Sequence, residues 1–114
     1  MILKEKNQKQ ILKIIEPIMD NCLEGSNEGN YNKHTKDFTE RLKKIVTPEN
    51  LKSQLEYRPH GSFTKREFKF LVKREKSIGV VWKQFISKTD EEFVNHAIFV
   101  EKNGKVLIEH CLIC

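Results

Sequence analysis

The sequence lacks long apolar runs and has only three cysteines among its 114 residues. No apolar stretch approaches the roughly 20 residues that a membrane-spanning helix needs. The first ten residues, MILKEKNQKQ, do not resemble a signal peptide, because they contain no apolar h-region. Cys22, Cys111 and Cys114 are odd in number and lack the spacing of a disulfide framework, which suits a reducing compartment. These absences predict a soluble, cytoplasmic protein that does not associate with membranes.

What is present is the composition of one globular domain. Apolar residues make up 38% and charged residues 32% of the chain, which is typical of a folded domain with a solvated surface. The length allows one hydrophobic core, and no repeat, low-complexity segment or linker divides the chain. We therefore expect a single domain over residues 1–114. The net charge of +5 permits an anionic partner but does not establish one.

The first half of the chain has the period of amphipathic helices. Apolar residues recur at helical spacing between Ile11 and Cys22, which predicts a first helix that kinks or begins anew at Pro17 and stops at Gly25. Thr47 followed by a proline is a helix start, because threonine caps and proline fits the first helical position. The predicted helices are Lys6–Glu24, Tyr31–Val46 and one that begins at Thr47 and ends before RPHG at 58–61, so that the helical part covers about 6–57.

After Gly61 the period changes from 3.6 to 2, which predicts strands over about 62–114. The sequence Asn103-Gly104 is a strong signal for a tight hairpin between the last two strands. The predicted strands lie in 63–75, 78–88, 91–101 and 105–114. Segregated helices and strands predict the α+β class, with three N-terminal helices packed on a curved antiparallel meander.

The second and third predicted strands are apolar on both sides. Val81 and Phe85 oppose Val80 and Trp82, and the strand 93–100 behaves similarly. Three helices cannot cover both faces of a four-stranded sheet. We therefore expect the sheet to curl round a pocket and its outer face to meet a second copy of the chain.

Two stretches resemble the NTF2-like superfamily, also called cystatin-like or the α+β cone. They are CLEGSNEGNYNKHTKDFTERLKKIVTPENLKSQ and GVVWKQFISKTDEEFVNHAIFVEKNGKVLIEHCLIC, about three-fifths of the chain. The resemblance implies a curved sheet, a conical pocket and commonly a homodimer through the sheet, but no particular reaction. Many members insert a short strand between the second and third helices, and this sequence has no room for one.

Ketosteroid-isomerase-like enzymes of this superfamily use a carboxylate base and a tyrosine or acid as oxyanion donor. The residues here that could occupy such a pocket are Tyr31, Tyr57, Trp82, His96, Glu109 and His110. No catalytic motif of the family matches residue by residue, so no catalytic role is carried over. The sequence favours a non-catalytic ligand-binding or assembly domain that homodimerises through its sheet. The alternative is a small lyase or isomerase, ketosteroid-isomerase-like or dehydratase-like, acting on a hydrophobic small molecule; no cofactor is predicted.

The position of His96 depends on the hairpin register. A two-residue turn at Asn103-Gly104 places His96 opposite Cys111, whereas a three-residue loop with a glycine bulge places it opposite His110. The second register gives the cleaner apolar face and is preferred. Two histidines are too few ligands for zinc, so no metal site is predicted.

Two further patterns are assigned structural roles. Basic and aromatic residues interleave in the first strand, at Lys65, Phe68, Lys69, Phe70, Lys73 and Arg74. Alternation points the phenylalanines into the core and the lysines away from it, which disfavours a nucleic-acid surface. Cys111 and Cys114, three apart on a strand, face opposite sides and cannot chelate one metal.

Overall fold

The computed structural model describes residues 2–57 and 61–114, and it shows helices followed by a four-stranded antiparallel sheet. The helical part comprises a 3-10 turn at Leu3–Glu5, α1 at Gln8–Glu28, α2 at Tyr31–His34, α3 at Glu40–Ile45 and α4 at Pro48–Glu56. The strands are β1 at Phe63–Lys73, β2 at Ile78–Ile86, β3 at Phe93–Lys102 and β4 at Lys105–Ile113, neighbours in chain order. The predicted α+β class and the meander are confirmed. The third helix was predicted to end before 58–61, and α4 ends at Glu56, while 58–60 lie outside the described residues.

Helix α1 is continuous through Pro17, so neither the predicted restart there nor the stop at Gly25 is correct. Burial of its apolar stripe against the sheet stabilises the helix despite the proline, because tertiary packing outweighs local propensity. The helix ends at Gly29, which is left-handed with φ 70°. Gly25 has a different role. A Cβ there would lie 2.3 Å from the backbone nitrogen of His34, so only glycine permits the close approach of α2.

The predicted second helix is divided into α2 and α3 by a short extended segment. Phe38 forms a parallel bridge with Ile108 of β4. Ile108 donates its N–H to the carbonyl of Asp37 (2.7 Å), and Thr39 donates its N–H to the carbonyl of Ile108 (3.0 Å). The Thr39 side chain then caps α3 by accepting from Leu42 N–H. The prediction of one continuous helix over Tyr31–Val46 is therefore wrong. The start of α4 at Thr47-Pro48 is as predicted.

A bulge in β1 changes which phenylalanine faces the core. Phe68 pairs with Trp82 while Phe70 pairs with Val81, so Lys69 is the extra residue. Phe68 packs against the core, but Phe70 is 54% exposed on the other face. The prediction that both rings point inward is wrong for Phe70, because one inserted residue breaks the period of two.

The β3–β4 hairpin combines a tight turn with a second bulge. Asn103 and Gly104 both have positive φ (53° and 77°) and form a two-residue turn, with Lys102 opposite Lys105. The preferred three-residue loop is therefore wrong. A register shift lies between Ile98 and Phe99 of β3, where Glu109 is the extra residue of β4. As a result, His96 pairs with Leu112 rather than with Cys111 or His110.

The core lies between α1 and the inner face of the sheet. It is built from buried residues of both layers, chiefly Ile11, Ile15, Met19, Ile78, Val80, Trp82, Phe99 and Ile108. The molecule measures 40 × 30 × 17 Å along its principal axes. The 17 Å dimension fits one layer of helices on one sheet, with layers roughly 10 Å apart. No helix of the described residues covers the outer face of the sheet.

Candidate functional site

Two surfaces are candidates for function: a cavity between the helices and the sheet, and the outer face of the sheet. The cavity has a volume of about 610 Å³. Its lining is contributed by α1 to α4, the start of β1 and the end of β4: Cys22, Leu23, Ser26, His34, Phe38, Leu42, Val46, Ser53, Gln54, Tyr57, Phe63, Cys111, Leu112 and Ile113. This size lies within the range of small-molecule pockets.

Among the described residues that line the cavity, none is a lysine, arginine, aspartate or glutamate. Such an absence is notable in a chain of which 32% is charged. A second cavity of about 510 Å³, beside the β3–β4 turn, is lined by charged residues including Lys4, Glu75 and Glu101. The described lining of the larger cavity is therefore uncharged and mainly apolar.

His34 is the imidazole in this cavity, and local contacts hold it in place. Its Nδ1 lies 2.7 Å from the carbonyl oxygen of Cys22 and 3.5 Å from the Cys22 sulfur. Its ring packs edge-on against Phe38 at 5.1 Å. Burial raises the pKa of the Cys22 thiol well above its ordinary value, and burial raises that of Cys111 to about 12. Both thiols are protonated at neutral pH, so neither is an activated nucleophile.

Of the six residues proposed from the sequence, Tyr57 lines the cavity. Tyr31 instead donates its hydroxyl to the carbonyl of Val46 (2.7 Å) and secures the end of α3. Trp82 is fully buried in the core and donates its indole N–H to Glu16 (3.1 Å). Both side chains are held by structural hydrogen bonds, and neither residue is among those that line the cavity.

Glu109 is a further candidate that lies outside the cavity lining. It occupies the bulge of β4, where it accepts hydrogen bonds from Thr39 Oγ1 (2.5 Å) and Arg41 Nε (3.1 Å). The hydrogen bond from Thr39, with help from Arg41, lowers the pKa of the Glu109 carboxyl below its usual value. A general base buried in an apolar cone needs the opposite shift. Glu109 joins α3 to the sheet.

His96 and His110 lie together, as predicted, but on the outer face of the sheet. Their ring centroids are 5.0 Å apart and their planes are inclined by 40°. The β4 bulge brings them together diagonally, since neither is the direct partner of the other. Desolvation of the ring, with smaller contributions from His96 and Arg41, lowers the pKa of His110 from its ordinary value.

The strand registers define two apolar rows on this outer face. One row runs Phe70, Val81, His96, Leu112, and the other runs Val72, Gly79, Ile98, His110. Val94, Val100 and Leu107 extend the surface. We call these residues the outer apolar face. Several are substantially exposed, among them Phe70 at 54% and Val94 at 48%.

Sequence reasoning missed the polar groups that surround the inner end of the cavity. Cys22 and His34 belong to two separate predicted helices, and no local signal indicates that these helices meet at these residues. Gln84 and Asn95 are fully buried on the inner face, and the Asn95 amide donates to Gln84 Oε1 (3.1 Å). The Cys111 thiol contacts Asn95 Oδ1 at 3.7 Å. These contacts form a row of polar groups across β2, β3 and β4 that ends at Cys111 in the cavity lining.

Among the residues it describes, the structure contains neither a candidate metal site nor a candidate membrane-spanning helix. Within residues 2–57 and 61–114, no three side chains of histidine, cysteine, aspartate or glutamate gather as a metal site would require. None of the helices described combines the length and the apolar character needed to cross a membrane.

Comparison with known proteins supports the fold. No family model and no curated protein matches the chain. Among solved structures, it is similar to a DUF4783 family protein from Bacteroides uniformis, with a TM-score of 0.52 and 17% identity. The match covers 82% of this chain and 93% of that chain. At this identity the likeness shows a shared α+β fold alone, and the NTF2-like assignment stays a prediction.

Proposed function

We propose that this chain is a non-catalytic, NTF2-like assembly domain that homodimerises through the outer apolar face. The observation that carries the proposal is this face: two apolar rows cross all four strands, and no described helix packs on them. Exposed apolar surface of this extent on a small protein marks an interaction site. The positions of Glu109, His96 and His110 outside the cavity lining favour the non-catalytic function over the lyase or isomerase alternative.

The size of the face fits a dimer interface. Four strands spaced about 4.8 Å apart and about 30 Å long give a flat area of roughly 600 Å², and side-chain relief increases the accessible area further. A standard interface buries about 800 Å² on each partner. A sheet face is also suited to a two-fold contact, because the same patch on both copies is self-complementary.

Charged side chains near one end of the face form neutralising contacts. Lys83 binds Glu92 at 2.6 Å, and Lys69 lies 3.5 Å from Glu67. Lys65 places its ammonium 4.7 Å from the centroid of the Phe85 ring. An apolar centre bordered by paired charges is the usual anatomy of a specific interface.

The test is the solution mass of the wild type and of a charged variant. We expect the wild-type chain to show twice its 13.5 kDa mass by light scattering at micromolar concentration. The double variant Phe70→Glu/Val94→Glu places like charges in the interface and should raise the dimer Kd by about a hundredfold or more. The matched control is Ile45→Glu, which changes a residue 57% exposed on the helical layer and should leave the dimer intact. A wild-type chain that stays monomeric, or equal weakening by both variants, rejects the proposal.

A second candidate function, supported by the uncharged side chains among the described lining residues, is binding of a neutral apolar small molecule. The lining combines apolar side chains with a few hydrogen-bonding groups, such as Ser53, Gln54 and Tyr57. This combination is typical of sites that orient an apolar ligand through few polar contacts.

The neutral fluorescent probe N-phenyl-1-naphthylamine tests this second function. Ser53→Trp inserts an indole at the cavity lining and should lower probe affinity about fivefold or more. Lys52→Trp, one position along the same helix and outside the lining, is the control. The difference between the two variants separates cavity binding from adsorption to the outer apolar face. Equal affinities for both variants would reject a ligand site in the cavity.

A further inference from the structure

The histidine pair occupies the middle of the outer apolar face. His96 lies in one row between Val81 and Leu112, and His110 lies beside Ile98 in the other. Both side chains are half-buried already in the single chain. In a dimer formed through this face, both rings would lose more of their contact with water. Burying a charged imidazolium without a partner is costly, whereas a neutral imidazole is tolerated.

No carboxylate is placed to neutralise this pair among the described residues that face it. From β3, His110 meets the ring of His96 at 5.0 Å. From α3, it is influenced by the positive charge of Arg41. From β2, the ammonium of Lys83 shares the face and binds Glu92. Glu67 of β1 lies opposite Lys83 and is paired with Lys69, and the guanidinium of Arg74 lies beside Gly79.

The nearest acid along the strand is Glu109, which is already engaged. Its carboxylate accepts hydrogen bonds from Thr39 and Arg41. The β1 neighbour in the same row is Phe70, which carries no charge. A proton added to His96 or His110 therefore faces groups that are positive, neutral or already paired, and a second proton repels the first across 5.0 Å.

We propose that protonation of the His96–His110 pair dissociates the homodimer, so that the pair makes assembly pH-sensitive. This inference rests on the proposed dimer through the outer apolar face. The sign follows from linkage. The monomer binds protons more readily than the dimer, so the dimer is favoured above the titration range of the pair and is lost as pH falls through it. If each copy takes up one proton on dissociation, the Kd rises about a hundredfold per pH unit below the relevant pKa.

Sedimentation velocity between about pH 7.5 and about pH 5.0 tests the inference, since most carboxylates stay ionised over that range. For the wild type we expect the dimer Kd to rise at least tenfold on acidification. The variant His96→Gln/His110→Gln keeps polar side chains but cannot be charged, and its Kd should change less than about threefold. This variant retains His34 and His60, so any pH dependence that survives in it comes from other groups. Circular dichroism at both pH values checks that the fold persists.

The possible outcomes separate the two proposals. A dimer that weakens in the wild type and not in the glutamine variant supports the inference. A dimer whose Kd is constant, or which weakens equally in both proteins, overturns the pH sensitivity while the dimer itself stands. A chain that is monomeric at every pH overturns the proposed function, and the inference with it.

Discussion

The two faces of the sheet are similar in apolar content, yet they have different surroundings. The inner face packs against α1, and Trp82 and Phe99 on it are fully buried. It also contains Gln84 and Asn95, buried polar residues whose amides are hydrogen-bonded to each other. The outer face exposes Phe70 and other apolar side chains. The comparison shows that apolar residues alone do not identify the core, since polar residues are buried on one face while apolar residues stay uncovered on the other.

Truncation of one phenylalanine on each face tests this comparison most strongly. Phe99→Ala should lower the free energy of unfolding by about 3–5 kcal/mol, because it leaves a cavity in the core. Phe70→Ala, its matched control on the outer face, should cost less than about 1 kcal/mol. Urea unfolding measured at protein concentrations below the dimer Kd reports these values without a contribution from assembly. Equal losses would contradict the assignment of the two faces.

A methyl group added at two glycines tests how closely each surface is covered. Gly25→Ala should cost about 2–3 kcal/mol, because its Cβ would meet the backbone of His34 at 2.3 Å. In Gly79→Ala on the outer face, the Cβ would meet the side-chain methyl of Val72 at 2.9 Å, and Val72 is exposed and can rotate away. Thermal unfolding should show a cost within about 1 kcal/mol for Gly79→Ala. A tolerated alanine at Gly25 would mean that α1 and α2 are not in close contact.

Glu109 provides a smaller, pH-dependent test of how the helices are attached to the sheet. Since folding lowers the pKa of Glu109, its contribution is present above the unfolded pKa and is lost as pH falls through the folded pKa. Glu109→Gln should therefore cost about 1 kcal/mol near pH 7, and solvent screening keeps the effect modest. The difference from the wild type should shrink between about pH 5 and about pH 3. Chemical denaturation across this range measures it, and a difference that is constant with pH would contradict the assigned ion pair.

The smallest expected effect concerns Lys65 and Phe85 on the outer face. Lys65→Ala should cost about 0.5 kcal/mol, since a cation above a half-buried ring at the surface contributes little. Lys105→Ala, at another exposed strand lysine, serves as the control and should change stability by less than about 0.3 kcal/mol. Denaturation in low and high salt checks the first value, which should fall as salt increases. A loss above about 1.5 kcal/mol would place Lys65 in a more buried setting than the one described.

Local signals predicted the elements whose determinants are close in sequence. Thr47 and Pro48 begin α4, and Asn103-Gly104 forms the tight turn, because each signal acts on the backbone within one turn. The order of helices and strands followed from the change in apolar period at Gly61. Of the candidate site, sequence reasoning correctly brought His96 and His110 together, although by a register that the structure does not have.

Contacts distant in sequence decided the rest. The Phe38 bridge to Ile108 divides a predicted helix, and its partner lies 70 residues away, beyond the reach of any local pattern. The bulges at Lys69 and Glu109 depend on the neighbouring strands, so the period of two fails to reveal them. The same limit applies to the cavity, in which Cys22 and His34 meet through helix packing.

The sequence by itself determined the fold class, the order of the elements and the presence of apolar side chains on both faces of the sheet, because propensity and periodicity act over a few residues. Tertiary structure alone decided which face the helices cover, since one layer of helices can bury only one side of a sheet. It also decided where the chemically active groups lie. Glu109 became part of a helix attachment, and the two histidines were left in the middle of the uncovered face.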